Sequence, residues 1–348
     1  MSDHPIFINF LAQAQACDEL GSPFTAALCR LLPRVIDDGS AFGRRILGWP
    51  EETARADAMP LRVCGALHAL ARSGREPVLT AHYPPHRFDA EALRSALRGA
   101  IARYDRFLHD YLDSPPQTNE VARSAIILGG MLEVARLAAM QLEILEIGSS
   151  AGLNLIFDSY AYDLGQGRTW GDPRAPLTIA SDWKGNAPDL AVALQVAARA
   201  GCDRNPLDAR SERTVERLLS YVWADQAERM ERLAAALGCV ARSDLRIEQA
   251  DAGAWVEERF ARPQPAGRAR VLFHTVVRQY LAPETEARLA AAIARAGQAA
   301  TPERPFAHLS FEWDGQTPGG ALRLTLWPGG EERFLARADY HGRWVDWA

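Results

Sequence analysis

The chain has 348 residues, of which 48% are hydrophobic and 24% charged, and it carries a net charge of −5 at neutral pH. That length calls for one large domain or two ordinary ones, with the composition of a soluble globular protein. The weakly acidic balance lacks a basic footprint for nucleic acid or an anionic bilayer, so neither partner is expected.

In chain order, residues 1–116 read as an all-helical N-terminal region. "HPIFINFLAQAQACDEL", "MPLRVCGALHALARSGR" and "FDAEALRSALRGAIARYDRFLHDYL" carry apolar residues at helical spacing. Ser22 with Pro23 behind it predicts a helix start. The pattern changes near residue 117, and 117–348 reads as an α/β domain. "EVARSAIILGGMLEVARLAA" predicts a helix, and "LEILEIGSSAGLNLIFD" (142–158) a buried strand, a tight turn and a helix start. "YAYDLGQGRTWGD" predicts a hairpin turning at Gly165–Gly167, and "PLTIASDW" a second strand. Residues 186–237 read as a helical insertion, with one long amphipathic helix over "RSERTVERLLSYVWADQAERMERLAAAL". "LRIEQAD", "ARVLFHTVV" and "FAHLSFEW" follow as strands, "PETEARLAAAIARAG" as a helix, and the chain ends in an antiparallel hairpin around Gly329-Gly330 and a last "RWVDW". Strands alternating with helices predict a mostly parallel α/β sheet with a C-terminal antiparallel hairpin.

The longest apolar stretch, 125–140, is interrupted by Glu133 and Arg136 and is too short for a bilayer. Residues 1–10 lack a basic start and an apolar core, so a cytoplasmic location is expected. The five cysteines are scattered without a C-x-x-C and read as buried free thiols. Of 39 lysines and arginines only Lys184 is lysine. Its setting, "SDWKGNAP", suits neither a Walker loop nor a Schiff base, which sets aside kinase-like and pyridoxal chemistry. His82 and His86 have metal-like spacing, but two prolines between them forbid a shared helix face, and no metal site is expected.

The turn at 146–154 carries the chemistry. Its glycines fall at Gly148 and Gly152, which fails the i, i+2, i+5 spacing of a dinucleotide loop. Acid-x-Gly-x-small-x-Gly is the pattern of S-adenosylmethionine loops, where absent or tiny side chains let the cofactor lie against the turn. Gly148, Ser149, Ser150, Gly152 and Asn154 are then expected to hold the cofactor, with Glu146 orienting the loop or meeting the cofactor's ammonium. Two alternatives stand beside this: a turn with no ligand, and a serine hydrolase with Ser150 as nucleophile and Asp251 and His274, His308 or His341 downstream. The hydrolase is disfavoured because the residues before Ser150 read as helices rather than strands.

"QTNEVARSA" (117–125), "LEIGSSAGLNL" (145–155), "GCDRNPLD" (201–208), "YVWADQAERMERL" (221–233), "VLFHTVVRQYL" (271–281) and "YHGRWVDW" (340–347) together resemble the bacterial family labelled domain of unknown function 2332. The resemblance implies a Rossmann-like sheet of the methyltransferase superfamily and its cofactor, with no established substrate. The chain departs from ordinary methyltransferases in having Ser150 at the middle glycine and a swollen segment between the second and third core strands.

On that fold His274, at a strand end, is the expected base, with Glu312 sharing its proton; a structural histidine is the alternative. Asp251, followed by Ala252, is expected at the adenine amino group, or as a plain helix cap. Asp182 is expected at the ribose, although it lies farther along than the roughly 20 residues usual in dinucleotide folds, and Asp158 and Asp172 compete. Thr118 or Asn119 serves as a helix cap, while Gln117, Asn119 and Arg123, beside Glu120, are expected to face cofactor or substrate. Trp223, Asp225 and Arg229 read as a salt-bridged helix face or a substrate-selecting lid. The function expected is S-adenosylmethionine-dependent methyl transfer to a small molecule, or cofactor binding without catalysis.

Overall fold

The computed structural model describes residues 4–117 and 120–348, and the chain folds as two compact units. One comprises Met1–Thr118 with Glu212–Glu231, the other Asn119–Ser211 with Arg232–Ala348. In chain order come α1 (Ile8–Glu19), α2 (Pro23–Leu31), α3 (Ala41–Leu47), α4 (Glu51–Ala54), α5 (Met59–Arg72), α6 (Pro77–Thr80) and α7 (Ala90–Tyr111). Next are α8 (Ser124–Ala138), β1 (Gln141–Ile147), β2 (Ala161–Asp163), β3 (Thr169–Trp170), β4 (Thr178–Ala180), β5 (Asp182–Gly185) and β6 (Val196–Asp203). The helices α9 (Glu212–Tyr221) and α10 (Ala227–Arg242) precede β7 (Ile247–Gln249), α11 (Ala252–Ala261), β8 (Arg268–Thr275), α12 (Pro283–Ala299) and β9 (Phe306–Glu312). The chain closes with β10 (Gly320–Trp327), β11 (Glu332–Ala338) and β12 (Trp344–Trp347).

The first unit is helical around a core that includes Phe10, Leu32, Phe42, Ile46, Val63 and Leu67, all fully buried. Burying each such side chain contributes about 1.5–3 kcal/mol. Pro23 opens α2 as expected, but the Ser22 hydroxyl does not cap it. Ser22 donates instead to Asp225, whose second oxygen accepts the Phe24 N–H at 2.9 Å. A carboxylate there answers the unpaired amides and the positive end of the helix dipole. This corrects the single long helix expected after Arg210: α9 stops at Tyr221, and residues 222–226 turn Asp225 onto α2. Trp223, Asp225 and Arg229 therefore share no helix face.

The second unit is built on a nine-stranded sheet of order β5-β12-β11-β10-β9-β8-β1-β6-β7. The run β7-β6-β1-β8-β9 is parallel, while β9, β10, β11 and β12 pair antiparallel in turn. The mostly parallel sheet and its terminal hairpin match expectation. Alternation along the strands sends side chains to two covered faces. On one, Leu145, Ile147 and Leu272 pack with Trp255 and Val256 of α11 and Leu289 and Ala292 of α12. On the other lies α8, so close that a Cβ on Gly130 would meet Leu309 at 2.6 Å. Strand order reverses at β1, with β6 and β7 on one side and β8 and β9 on the other. In open α/β sheets, the crevice beyond the strand ends at such a reversal is where ligands bind.

Two expectations fail here. "PLTIASDW" splits into β4, which joins β2 and β3 in a small separate sheet, and β5, which pairs with β12 at the far edge of the large one. The strand beside β1 is β6, inside the stretch expected to be helical. Its "VAARAGCD" has alanine-rich helix propensity, which six register pairs with β1 override.

Candidate functional site

At the end of β1 the chain kinks through Gly148 (φ +69°), Ser150 (φ +49°) and Gly152 (φ +77°). The faces of these glycines are not open. A Cβ on Gly148 would stand 2.1 Å from Val277 Cγ2, and one on Gly152 2.8 Å from Leu245 Cδ2 and Ile247 Cδ1. The bare main chain expected to receive a cofactor is thus packed by the protein's own aliphatic side chains at both glycines. No α-helix follows. Asn154–Ser159 is a 3-10 segment broken at Ile156, because its carbonyls are claimed from elsewhere. Tyr160 Oη donates to Leu153 O at 2.8 Å, Arg199 to Leu155 O at 2.6 Å and Tyr162 Oη to Phe157 O at 2.7 Å.

Glu146 stands in register with Gly201 and Phe273, so its side chain leaves β1 on the α8 face together with that of Asp203. It is 2% exposed. Burial pushes its carboxyl up to about 8; Asp203 adds to the shift, while Ser149 and Arg123 oppose it. Glu146 Oε2 and Asn154 Oδ1 are buried without a hydrogen-bond partner. Ser149 Oγ donates to Glu146 O at 2.9 Å. Asp203 accepts the N–H of Ser150 at 2.9 Å and of Asn205 at 2.8 Å, tying the turn to the end of β6. Arg123, also buried, donates from Nε to Tyr340 O at 2.8 Å and from Nη1 to Thr275 O at 3.4 Å, which brings it to the same end of the sheet. Glu120 accepts the Ala122 N–H at 3.3 Å and caps the short turn before α8.

His274 and Glu312 do meet, with Nδ1 and Oε1 2.6 Å apart, and Glu312 also accepts the Val277 N–H at 3.0 Å. The other His274 nitrogen, Nε2, is 3.0 Å from His308 Nε2. His308 and Glu312 are four residues apart on β9 and flank Ser310, which stands in register with His274. All of these side chains lie on the α11–α12 face. Burial drops the His308 ring to about 3, with the charges of His274 and Arg278 acting in the same direction, so it is neutral at physiological pH. One ring must then donate and the other accept across the contact between the two Nε2 atoms. Two residues past His274, Val276 holds φ +54°, a costly conformation for a β-branched side chain. Because Glu146 is in register with Phe273, one residue before His274, the acid and the histidines leave the sheet on opposite faces.

Other expected positions fall elsewhere. Asp182 is exposed on the edge strand β5 and pairs with Lys184 at 3.1 Å, far from β1; Asp203 occupies the strand end foreseen for it. Asp251 caps α11, accepting the Ala254 N–H at 3.1 Å and the Thr285 hydroxyl at 2.5 Å; that hydroxyl holds its carboxyl below the usual range. Ala252 is buried with Leu145 and Ile147. Gln117 belongs to the first unit, and Asn119 lies outside the described residues. The set Ser150, Asp251 and His274 forms no hydrolytic triad, since His274 is held by Glu312 and His308, and Asp251 by α11 and Thr285. Asp203 went unread in the sequence, and His308 was named only as one of three histidines for the hydrolase alternative. His308 was legible in "HLSFE", where period-two alternation puts it on the face of Glu312. Asp203 was hidden with its strand.

A family model described as "Uncharacterized protein conserved in bacteria (DUF2332)" matches residues 8–347. No curated protein and no solved structure matches the chain. Among the described residues, no helix is long and apolar enough to cross a membrane.

Proposed function

The chain belongs to that bacterial family over nearly its whole length, and from this premise we propose that its α/β unit binds S-adenosylmethionine at the ends of β1 and β6 and serves methyl transfer to a small molecule. One observation carries the proposal: the buried Glu146 carboxyl, with an oxygen lacking any donor, beside the point where strand order reverses. A buried carboxyl with one oxygen unmet is costly, and a cationic ligand offsets the cost. This set of acceptors fits a ligand with an ammonium group and hydroxyls. Glu146 would meet the ammonium, Asn154 Oδ1 would accept a donor, and Asp203, already on two amides, retains lone pairs for a ribose hydroxyl. The glycines do not supply the cradle, so the reading rests on the acids. The cofactor would bring an electrophilic methyl group. Glu312 fixes the His274 ring through Nδ1, and the neutral His308 ring stands against its Nε2, so His274 is the ring placed to act as base. Tyr280, 71% exposed, and Trp313, 67% exposed, follow the ends of β8 and β9 and offer ring surface to an acceptor.

A second reading, cofactor binding without catalysis, is favoured by one fact: both His274 nitrogens are already engaged within the protein. Calorimetric titration of the full chain with S-adenosylmethionine and S-adenosylhomocysteine tests the common core. Binding that Glu146→Gln weakens at least tenfold is expected. No heat from either ligand at millimolar concentration refutes both readings. Binding without turnover on mixed small-molecule acceptors, unchanged by His274→Ala, selects the second.

A further inference from the structure

The first unit contains a cavity of about 640 Å³, within the size range of small-molecule sites. Its walls are helix faces. Phe107 and Tyr111 come from α7, and Arg213 and Arg217 from α9, each pair one helical turn apart; Arg72 comes from the end of α5, and Arg75 lies just beyond it. The lining holds four arginines against two acids, Glu216 and Asp110. One arginine is neutralised: Arg72 meets Glu216 through two nitrogens at 3.1–3.2 Å.

The remaining arginines are arranged for something planar and negative. The Arg75 guanidinium lies 4.4 Å from the centre of the Phe107 ring, and that of Arg217 5.2 Å from the centre of Tyr111. Guanidinium stacked on an aromatic face is pre-organised, because its plane is fixed while its edge donors stay available. Arg217 reaches Ser114 through Nη1, yet its Nε–H is buried with no acceptor. The Arg213 side chain makes no hydrogen bond or ion pair with the described residues. Ring walls, uncompensated charge and a buried donor lacking an acceptor converge on one ligand chemistry.

We infer that this cavity is a binding site for a small aromatic anion, a planar ring bearing a carboxylate or a phosphate, distinct from the site at the ends of β1 and β6. The ring would join the stacks of Arg75 on Phe107 and Arg217 on Tyr111, while its anionic group would take Arg213 and the Arg217 Nε–H.

Calorimetry on the full chain tests this with benzoate and phenyl phosphate, which separate the two anionic groups. Inorganic phosphate supplies charge without a ring, and benzyl alcohol a ring without charge. One of the aromatic anions is expected to bind at least about tenfold more tightly than either control, as for a charge-assisted hydrogen bond retained with stacking. Arg213→Ala, at an exposed position with no partner to lose, should weaken it about tenfold. Phe107→Leu should weaken the aromatic anions while leaving inorganic phosphate unchanged, and Glu146→Gln should change nothing. Equal affinity for inorganic phosphate and the aromatic anions overturns the inference, as does binding indifferent to Arg213→Ala, or no binding of either aromatic anion at millimolar concentration.

Discussion

Glu146→Gln should stabilise the protein, and increasingly so as pH rises. The carboxyl is displaced from 4.5 to about 8 by burial. In the unfolded chain it ionises near 4.5, whereas in the folded chain it keeps its proton until about pH 8. Between those limits the folded state binds one more proton than the unfolded state, so stability falls with rising pH by about 1.4 kcal/mol per unit. Glutamine resembles the protonated acid in shape and never ionises, so it escapes this loss. The variant should gain under about 1 kcal/mol at pH 5, about 3 kcal/mol at pH 7 and about 4 kcal/mol at pH 8. Urea unfolding of both proteins at matched pH from 5 to 8 reads this directly. A difference that stays constant across pH, or a wild type more stable than the variant at pH 8, would refute the claim that burial keeps the Glu146 carboxyl protonated. A residue that destabilises the free protein while strengthening ligand binding is a stability–function trade.

The same acid makes ligand binding proton-linked. At pH 7 a carboxyl titrating near 8 is about nine-tenths protonated, so an ammonium-bearing ligand should release close to one proton, seen as different calorimetric enthalpies in phosphate and Tris and lost in Glu146→Gln. Gly148→Ala should cost about 2–3 kcal/mol, because the methyl meets Val277 in a left-handed conformation, and Val277→Ala in the same chain should recover part of it; a wild-type melting temperature for Gly148→Ala would contradict the packing. His308, held near 3, stays neutral in the fold while its unfolded counterpart gains a proton below about 6.5, so it withdraws stability as pH falls from 6.5 towards 3; nitrogen NMR should find a neutral ring at pH 5, and a charged one would refute the burial. Asp225→Ala should cost about 1–2 kcal/mol by uncapping α2, and a cost that vanishes when Ser22 is also Ala would place the effect in the hydroxyl contact alone.

The parts legible in the sequence are those whose local pattern and tertiary setting agree. "ILEI", "VLF" and "LSF" are short apolar runs ending in polar residues, and they became β1, β8 and β9. The terminal hairpin followed from its glycines. The contact of His274 with Glu312 was inferable because both close parallel strands. Failure came where long-range pairing overrides local preference. An alanine-rich segment became β6, and with it went the acid beside the turn, leaving Asp182 as a substitute on a distant edge. The glycine spacing at 148 and 152 was read as room for a ligand. Spacing reports only that a Cβ does not fit, and Val277, Leu245 and Ile247, remote in sequence, are what it does not fit against.

Buried polarity is treated differently at the two ends of the sheet. Near the start of β1, Glu143 meets Arg270 of β8 at 2.9 Å, a buried charge matched at once by its opposite. At the far end Glu146 retains an oxygen without a donor, His308 is a ring kept neutral by burial, and Val276 sits in a conformation its branched side chain resists. Stability alone would fill those positions as Leu142, Ile144 and Val271 fill theirs. Local strain and unmet hydrogen-bonding capacity persist where a ligand or a reaction uses them, and here they collect at the strand ends where the order reverses. They stand on both faces of the sheet, the acid on one and the histidines on the other. A ligand that engages both groups must therefore lie across the strand ends rather than against either face. The chain after β8 runs past that position, with Val277 packed against Gly148 and its N–H held by Glu312, so residues 275–277 connect the two groups through a packing contact and a hydrogen bond.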